Sequence, residues 1–251
     1  MEVITLLKRN VKWRYHHRLT IVFTLLQPLL WLVLYSTVGQ NVMQSVVSIN
    51  YTTYILPGLM FLVCFGSSSS SGIMNYFMKQ DGSFKRMLIA PIKRESIVLA
   101  QILESTLCAF LEVGVLTLMS CLFGVDISLN LFEFSIIMMI LFLSSFFMST
   151  LAYSISLWLP NEMVYETMMN ALVLPLFFLS SSLFPIDQID GILGIIIRIN
   201  PFTHCIQLVR MLLLHQEIQI QNIIYVMILF IILCIVGFVI SKLSLNKEMN
   251  K

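Results

Sequence analysis

The sequence predicts an all-α integral membrane protein. Six transmembrane helices are expected, with an N-terminal amphipathic helix at the interface, a short cytoplasmic helix between the second and third spans, and an outer re-entrant helical hairpin before the last span. Three observations predict it. Of the 251 residues, 58% are hydrophobic and only 11% charged, outside the range of soluble domains. Six apolar segments, at 19–38, 54–77, 97–123, 134–159, 168–186 and 223–240, each approach the ~20 residues a helix needs to cross a bilayer. If the chain changes sides at each of them, 13 of the 15 Lys and Arg residues fall on one side. Residues 1–251 form a single transmembrane domain with no room for a soluble domain of ordinary size.

Orientation follows from those charges. Lys8, Arg9, Lys12, Arg14 and Arg18, the segment Lys79 to Arg94, and Lys242 to Lys251 face the cytoplasm, leaving Arg198 and Arg210 outside. Both termini are then cytoplasmic in a multi-pass protein of the cytoplasmic (inner) membrane. Helices are expected because a backbone in lipid must satisfy its own hydrogen bonds and the runs lack the alternation of barrel strands.

Residues 1–18 read as an amphipathic helix in the inner headgroup layer, with Ile4, Leu7, Val11 and Tyr15 on one face and Lys8, Arg9, Lys12 and His16 turning to the next. The plainer reading is a charged flank that sets topology. In the first span Pro28 follows Gln27 and should bend the helix, as should Pro175 in the fifth. The second span carries GSSSSSG at Gly66 to Gly72 and a stripe of Cys64, Ser68, Ser71 and Asn75. Small residues in membranes usually mean close helix packing, and the fourth span repeats the pattern with Ser145, Ser149, Ala152 and Ser156.

In the third span Gln101, Glu104, Ser105, Cys108 and Glu112 share one face. An ionised carboxylate facing lipid is costly, so Glu112, near mid-bilayer, must face the bundle or be protonated. Gln101, Glu104, Glu112, Ser68, Ser71 and Asn75 are therefore candidates for either buried structural contacts or a translocation path. Glu162 and Glu166, one turn apart at the cytosolic entrance of the fifth span, are placed to pair with the basic loop or the N-terminal helix. The apolar stretch after Ile186 is broken at Asn200-Pro201 into pieces too short to span. Asn200 as N-cap and Pro201 at the first helical position make 187–215 a re-entrant element, the alternative being two helices lying on the outer surface.

Between the second and third spans stands KQDGSFKRMLIAPIKRES, Lys79 to Ser96. Asp81 or Ser83 can cap a helix of two turns after Gly82, with Phe84, Met87 and Leu88 on one side, Lys85 and Arg86 opposite, and Ala90-Pro91 as the stop. Apolar groups on a cytosolic loop need cover, and the candidates are the lipid surface and a groove on another protein. Charges that only set topology do not need this cap and stop.

The stretch QDGSFKRMLIAPIKRESIVLAQIL resembles the cytoplasmic loop of type-2 ABC exporter permeases, with Asp81 where many relatives have Glu and Ser83 where many have Thr. QPLLWLVLYSTVGQ (27–40), LPLFFLSSSLFPI (174–186) and NPFTHCIQLVRMLL (200–213) are similar to the first span, fifth span and outer re-entrant element of the drug-resistance and natural-product branch. The resemblance implies a permease in which Asp81, Gly82, Ser83, Phe84, Lys85, Arg86, Met87, Leu88 and Pro91 form the coupling helix, docking into a separate ABC ATPase. It further implies a second permease copy, as a homodimer or with a related subunit, and export of a hydrophobic or amphipathic compound from a bacterial cell. ATP and Mg would be held by the partner, since this chain has no GxxxxGK[ST] loop.

The same architecture would serve a cell-surface polysaccharide or lipid-linked glycan. An intramembrane lipid-modifying enzyme needs HExxH, clustered carboxylates or a Ser/His pair at matching depth, whereas His204 and His215 are isolated. An ion-coupled transporter would show a twofold internal repeat, and none is evident. The five cysteines show neither CxxC nor metal spacing, and four fall inside apolar runs, as packing residues do. No metal site, no cofactor bound by this chain and no nucleic-acid partner are expected.

Overall fold

The computed structural model describes residues 2–16, 18–43, 51–183, 191–216 and 218–249, of which 15, 16, 18–21, 23, 24, 38–43 and 249 are described by backbone alone. Among the described residues there are ten helices and no strand. They are α1 (Glu2–His16), α2 (Arg18–Met43), α3 (Tyr51–Gln80), α4 (Ser83–Ile89), α5 (Arg94–Cys121), α6 (Leu131–Trp158), α7 (Glu162–Phe178), α8 (Gly191–Ile199), α9 (Pro201–Leu213) and α10 (Ile220–Met249).

Four of these, α3, α5, α6 and α10, are long and apolar enough to cross a membrane. The α8–α9 pair, bent by 80°, makes a fifth if it counts as one span. The six-span layout is thus matched closely at four segments. The first segment falls within the 26-residue helix α2, which includes the apolar stretch Leu25–Thr37 among the residues described with side chains. The fifth ends at Phe178, so it stops short of 186, and 184–186 lie outside the described residues.

The early stop of α7 has a local cause. The Ser180 hydroxyl donates to the Phe177 carbonyl at 2.6 Å and accepts from the Ser182 amide at 3.3 Å, so the serine run folds onto the helix end. The carbonyls freed there are taken up by side chains of α9, described below.

Helix α3 is the centre of the bundle, packed by α2, α5, α6, α7 and α9. Its serine-rich stretch permits this closeness. Ser68 Oγ lies 3.1 Å from Ser149 Oγ of α6, and Asn75 Nδ2 donates to Ser156 Oγ at 2.6 Å. Gly72 sits under the ring of Tyr165 from α7, where a methyl group would overlap the phenol, whose hydroxyl donates to the Ser69 carbonyl at 2.8 Å. The expected packing role of the small residues is what these contacts show.

Helix α9 is inside the bundle. Phe202 lies in edge contact with Phe65, midway along α3, at 4.7 Å between centroids, and with Phe230 of α10 at 5.3 Å. Most of α9 is buried, which does not fit a helix lying on a surface, whereas α8 buries only Gly194 and Ile197.

Both described ends of the chain meet segment 79–96 at one end of the bundle. Glu2 accepts from Ser96 Oγ at 3.0 Å, Lys79 pairs with Glu248 at 2.9 Å, Lys242 pairs with Glu95, and Arg94 donates to Asn246 at 2.8 Å. This is the basic end.

The N-terminal helix differs from the sequence expectation. Its buried residues are Leu6, Asn10 and Arg14, one i, i+4 row, while Ile4 of the expected apolar face is 58% exposed. The helix is turned by about 100° from that face. The reason lies in α5, whose polar stripe offers Asn10 and Arg14 partners that a headgroup layer would not. The side chains of Tyr15 and His16 lie outside the described residues.

Candidate functional site

Helix α4 begins as its sequence requires. Asp81 Oδ1 accepts from the Ser83 amide at 2.9 Å, and bonds from Ser83 hold the Asp81 carboxyl below the usual carboxylate range. Gly82 takes φ 73°, the left-handed conformation that a residue with a Cβ rarely adopts. At the other end Ala90 is extended, at φ −69° and ψ 147°, as the residue before Pro91 must be.

The cover over its apolar side is neither lipid nor another protein. Phe84 and Met87 are buried in a cluster with Leu6 of α1, Met78 of α3, Val98 of α5 and Leu245 of α10. Lys79 Nζ stands 5.4 Å above the Phe84 ring, and the Arg9 guanidinium lies 3.2 Å from Met87 Sδ. Leu88 is half-buried. What α4 displays outward is Lys85, Arg86 and Ile89, the last 85% exposed, followed by Pro91.

Under α4 lies a buried polar seam that joins the stripes of three helices. Arg14 Nε pairs with Glu104 Oε1 at 2.7 Å, while Ser71 Oγ donates to Glu104 Oε2 at 3.2 Å and Cys108 Sγ to Oε1 at 3.4 Å. Gln101 Nε2 donates to Ser71 Oγ at 2.9 Å and receives Asn10 Nδ2 on Oε1 at 3.0 Å. Ser105 Oγ lies 2.7 Å from Ser149 Oγ. Glu104 is fully buried, and Glu112, two turns further along α5, is 3% exposed and faces the bundle. The structure therefore brings Gln101, Glu104 and Ser71 into one network, joins Asn75 and Ser68 to α6, and leaves Glu112 deeper in the interior.

Glu162 and Glu166 stand apart from this network. Among the described residues neither makes an ion pair, while Lys79 and Lys242 pair with Glu248 and Glu95. Partial burial and the neighbouring Glu166 raise the Glu162 carboxyl above its ordinary value. Among the described residues no group of three His, Cys, Asp or Glu side chains could hold a metal ion. Cys64, Cys108, Cys205 and Cys234 are buried thiols and Cys121 is exposed.

At the opposite end Asn200 caps α9, its Oδ1 accepting from the Phe202 amide at 3.0 Å, with Pro201 at the first helical position. Its amide nitrogen donates to the Leu176 and Leu179 carbonyls of α7 at 2.9 and 2.8 Å. One side chain thus closes two helices. Asn200→Ala is expected to destabilise the fold by about 2 kcal/mol, while Asn200→Asp, which keeps the cap acceptor but sets a carboxylate oxygen against two carbonyls at a buried site, should be at least as destabilising. Thermal unfolding of the three proteins in detergent checks the order.

Sequence reasoning did not find Asn10, Arg14 or Arg210 as network residues. In the sequence Arg14 and Arg210 stand out only as charges that set topology. The available signal was the i, i+4 spacing of Leu6, Asn10 and Arg14, which matches the spacing of the stripe on α5.

The ABC-2 type transporter family model matches residues 1–214. The chain belongs to this family. It is similar to the protein named "Putative transport permease ycf38" of Cyanophora paradoxa, 28% identical over 96% of this chain and 88% of that one. It is also similar to proteins of the same name from Pyropia yezoensis, 26% identical over 84% and 73%, and Porphyra purpurea, 26% identical over 83% and 72%. An ABC-2 family permease with several membrane helices is a transport component, and the relatives' names carry a transport role, not an enzymatic one.

Proposed function

We propose that this ABC-2 permease is the transmembrane subunit of an ATP-driven exporter. A separate ABC ATPase docks on α4 at the cytoplasmic side, two permease copies frame the path, and a hydrophobic or amphipathic compound moves outward across the cytoplasmic membrane of a bacterial cell. The observation that carries the reading is the form of α4. It is a capped two-turn helix pinned by Phe84 and Met87 to its own bundle, with Lys85, Arg86 and Ile89 turned outward at the basic end. A pinned helix with a displayed tip can transmit force from a partner, whereas a loose loop cannot. Arg86→Glu combined with Ile89→Asp should leave the permease folded in the membrane and abolish co-purification of its ATPase and ATP-dependent export. Retention of the ATPase by that variant would overturn the assignment. Phe84→Asp would not test it, since Phe84 is part of the chain's own core.

The second copy is supported by where amides are exposed. Between residues 107 and 119, 136 and 142, and 224 and 239, the exposed side chains of α5, α6 and α10 carry no amide and no charge. Helices α2 and α7, which flank α3, instead expose Gln27 and Asn170 among apolar residues. An amide facing lipid without a partner costs about 2 kcal/mol or more. Those faces suit a second permease and an amphipathic cargo. Asn170→Cys in a Cys121→Ser background should cross-link between copies in native membranes, and a purely monomeric product would count against the pairing.

A further inference from the structure

We infer that α1 is a lever that carries movement of α4 to the membrane interior, with Arg14 as its positioning residue. This rests on the exporter reading above. One face of α1 makes two kinds of contact. Leu6 shares the apolar cluster of Phe84 and Met87, and Arg9 donates to Met87 Sδ, so α1 is seated against α4. Four and eight residues on from Leu6, Asn10 binds Gln101 and Arg14 binds Glu104, with the Arg14 guanidinium also reaching the Ser67 carbonyl at 3.4 Å. The helix therefore bridges α4 to α5 and α3 without a flexible segment between them.

The chemistry of the second contact sets its mechanics. Glu104 is fully exposed to none of the solvent and Arg14 is nearly so, at 0% and 6% side-chain exposure. A buried ion pair with further hydrogen bonds is costly to separate, because each charge would be left without water or a counter-charge. The pair stays closed through a transport cycle. Helix α1 and the first half of α5 then move together with α4, and Ser71, which serves both Glu104 and Gln101, passes the displacement to α3.

The test uses the permease co-purified with its ATPase, in a Cys121→Ser background with a reporter cysteine at exposed positions Gly66, Ser128 or Ile192. Maleimide labelling is compared without nucleotide and with ATP plus vanadate. In the otherwise native chain labelling should respond at one or more positions. Arg14→Gln should retain the ATPase but lose the response, and Arg14→Lys, which keeps the charge, should restore part of it. In the chain without a reporter cysteine, Asn10→Cys with Gln101→Cys, joined by a short bis-thiosulfonate, should keep the nucleotide response read by limited proteolysis, because the two helices move as one. A native response in Arg14→Gln, or its loss on cross-linking α1 to α5, overturns the lever. If Arg14→Gln does not fold, the cross-linked protein decides alone. If the native chain holds no ATPase and shows no response at any reporter, it is the exporter reading that fails.

Discussion

Arg210→Ala is expected to destabilise the end of the bundle opposite α4 by roughly 4 kcal/mol, the loss of three charge-assisted hydrogen bonds at a buried site. Arg210 Nε donates to the Tyr54 carbonyl at 2.9 Å, and Nη2 reaches the carbonyls of Ser181 and of Ser182, the latter at 3.2 Å. The guanidinium also lies over the Tyr54 ring at 3.7 Å. These carbonyls belong to the stretch where α7 has ended and to the start of α3. Arg210→Lys should recover less than half of the loss, since a point charge on a flexible stem cannot serve three divergent carbonyls. Thermal unfolding in detergent, with limited proteolysis between α7 and α9, reads both effects. Equal melting of Arg210→Ala and wild type would show that the clamp contributes nothing.

Glu104→Ala should cost about 3–5 kcal/mol, because it leaves the buried Arg14 without its counter-charge and Ser71 without its acceptor. The informative comparison is a double variant. Arg14→Met with Glu104→Leu removes both charges and should be more stable than Glu104→Ala alone, since an apolar pair of similar volume fills the site without an unmatched charge. The same double variant should still fail to transmit the nucleotide response, which separates stability from coupling. Additive losses in the double variant would mean that the two side chains do not act on each other.

Much of the architecture was legible in one dimension. The apolar lengths located α3, α5, α6 and α10, Gly82 and Pro91 bounded α4, and Asn200-Pro201 marked the start of α9. These are properties of local backbone and of lipid as solvent, which act on a segment wherever its neighbours are. The polar stripes on α3, α5 and α6 were also readable, because helical periodicity alone puts their members on one face.

What could not be read was which surface would meet which. The face α1 buries runs through Asn10 and Arg14 and not through its most apolar residues, because their partners lie some ninety residues further on, in α5. The cover over Phe84 and the enclosure of Arg210 have the same origin. Sequence by itself determined the helices, their limits and their need for polar partners, since those follow from hydrogen bonding and hydrophobicity within a segment. Only the tertiary structure decided the partners, because the free energy of a buried charge depends on which distant group the packing sets beside it.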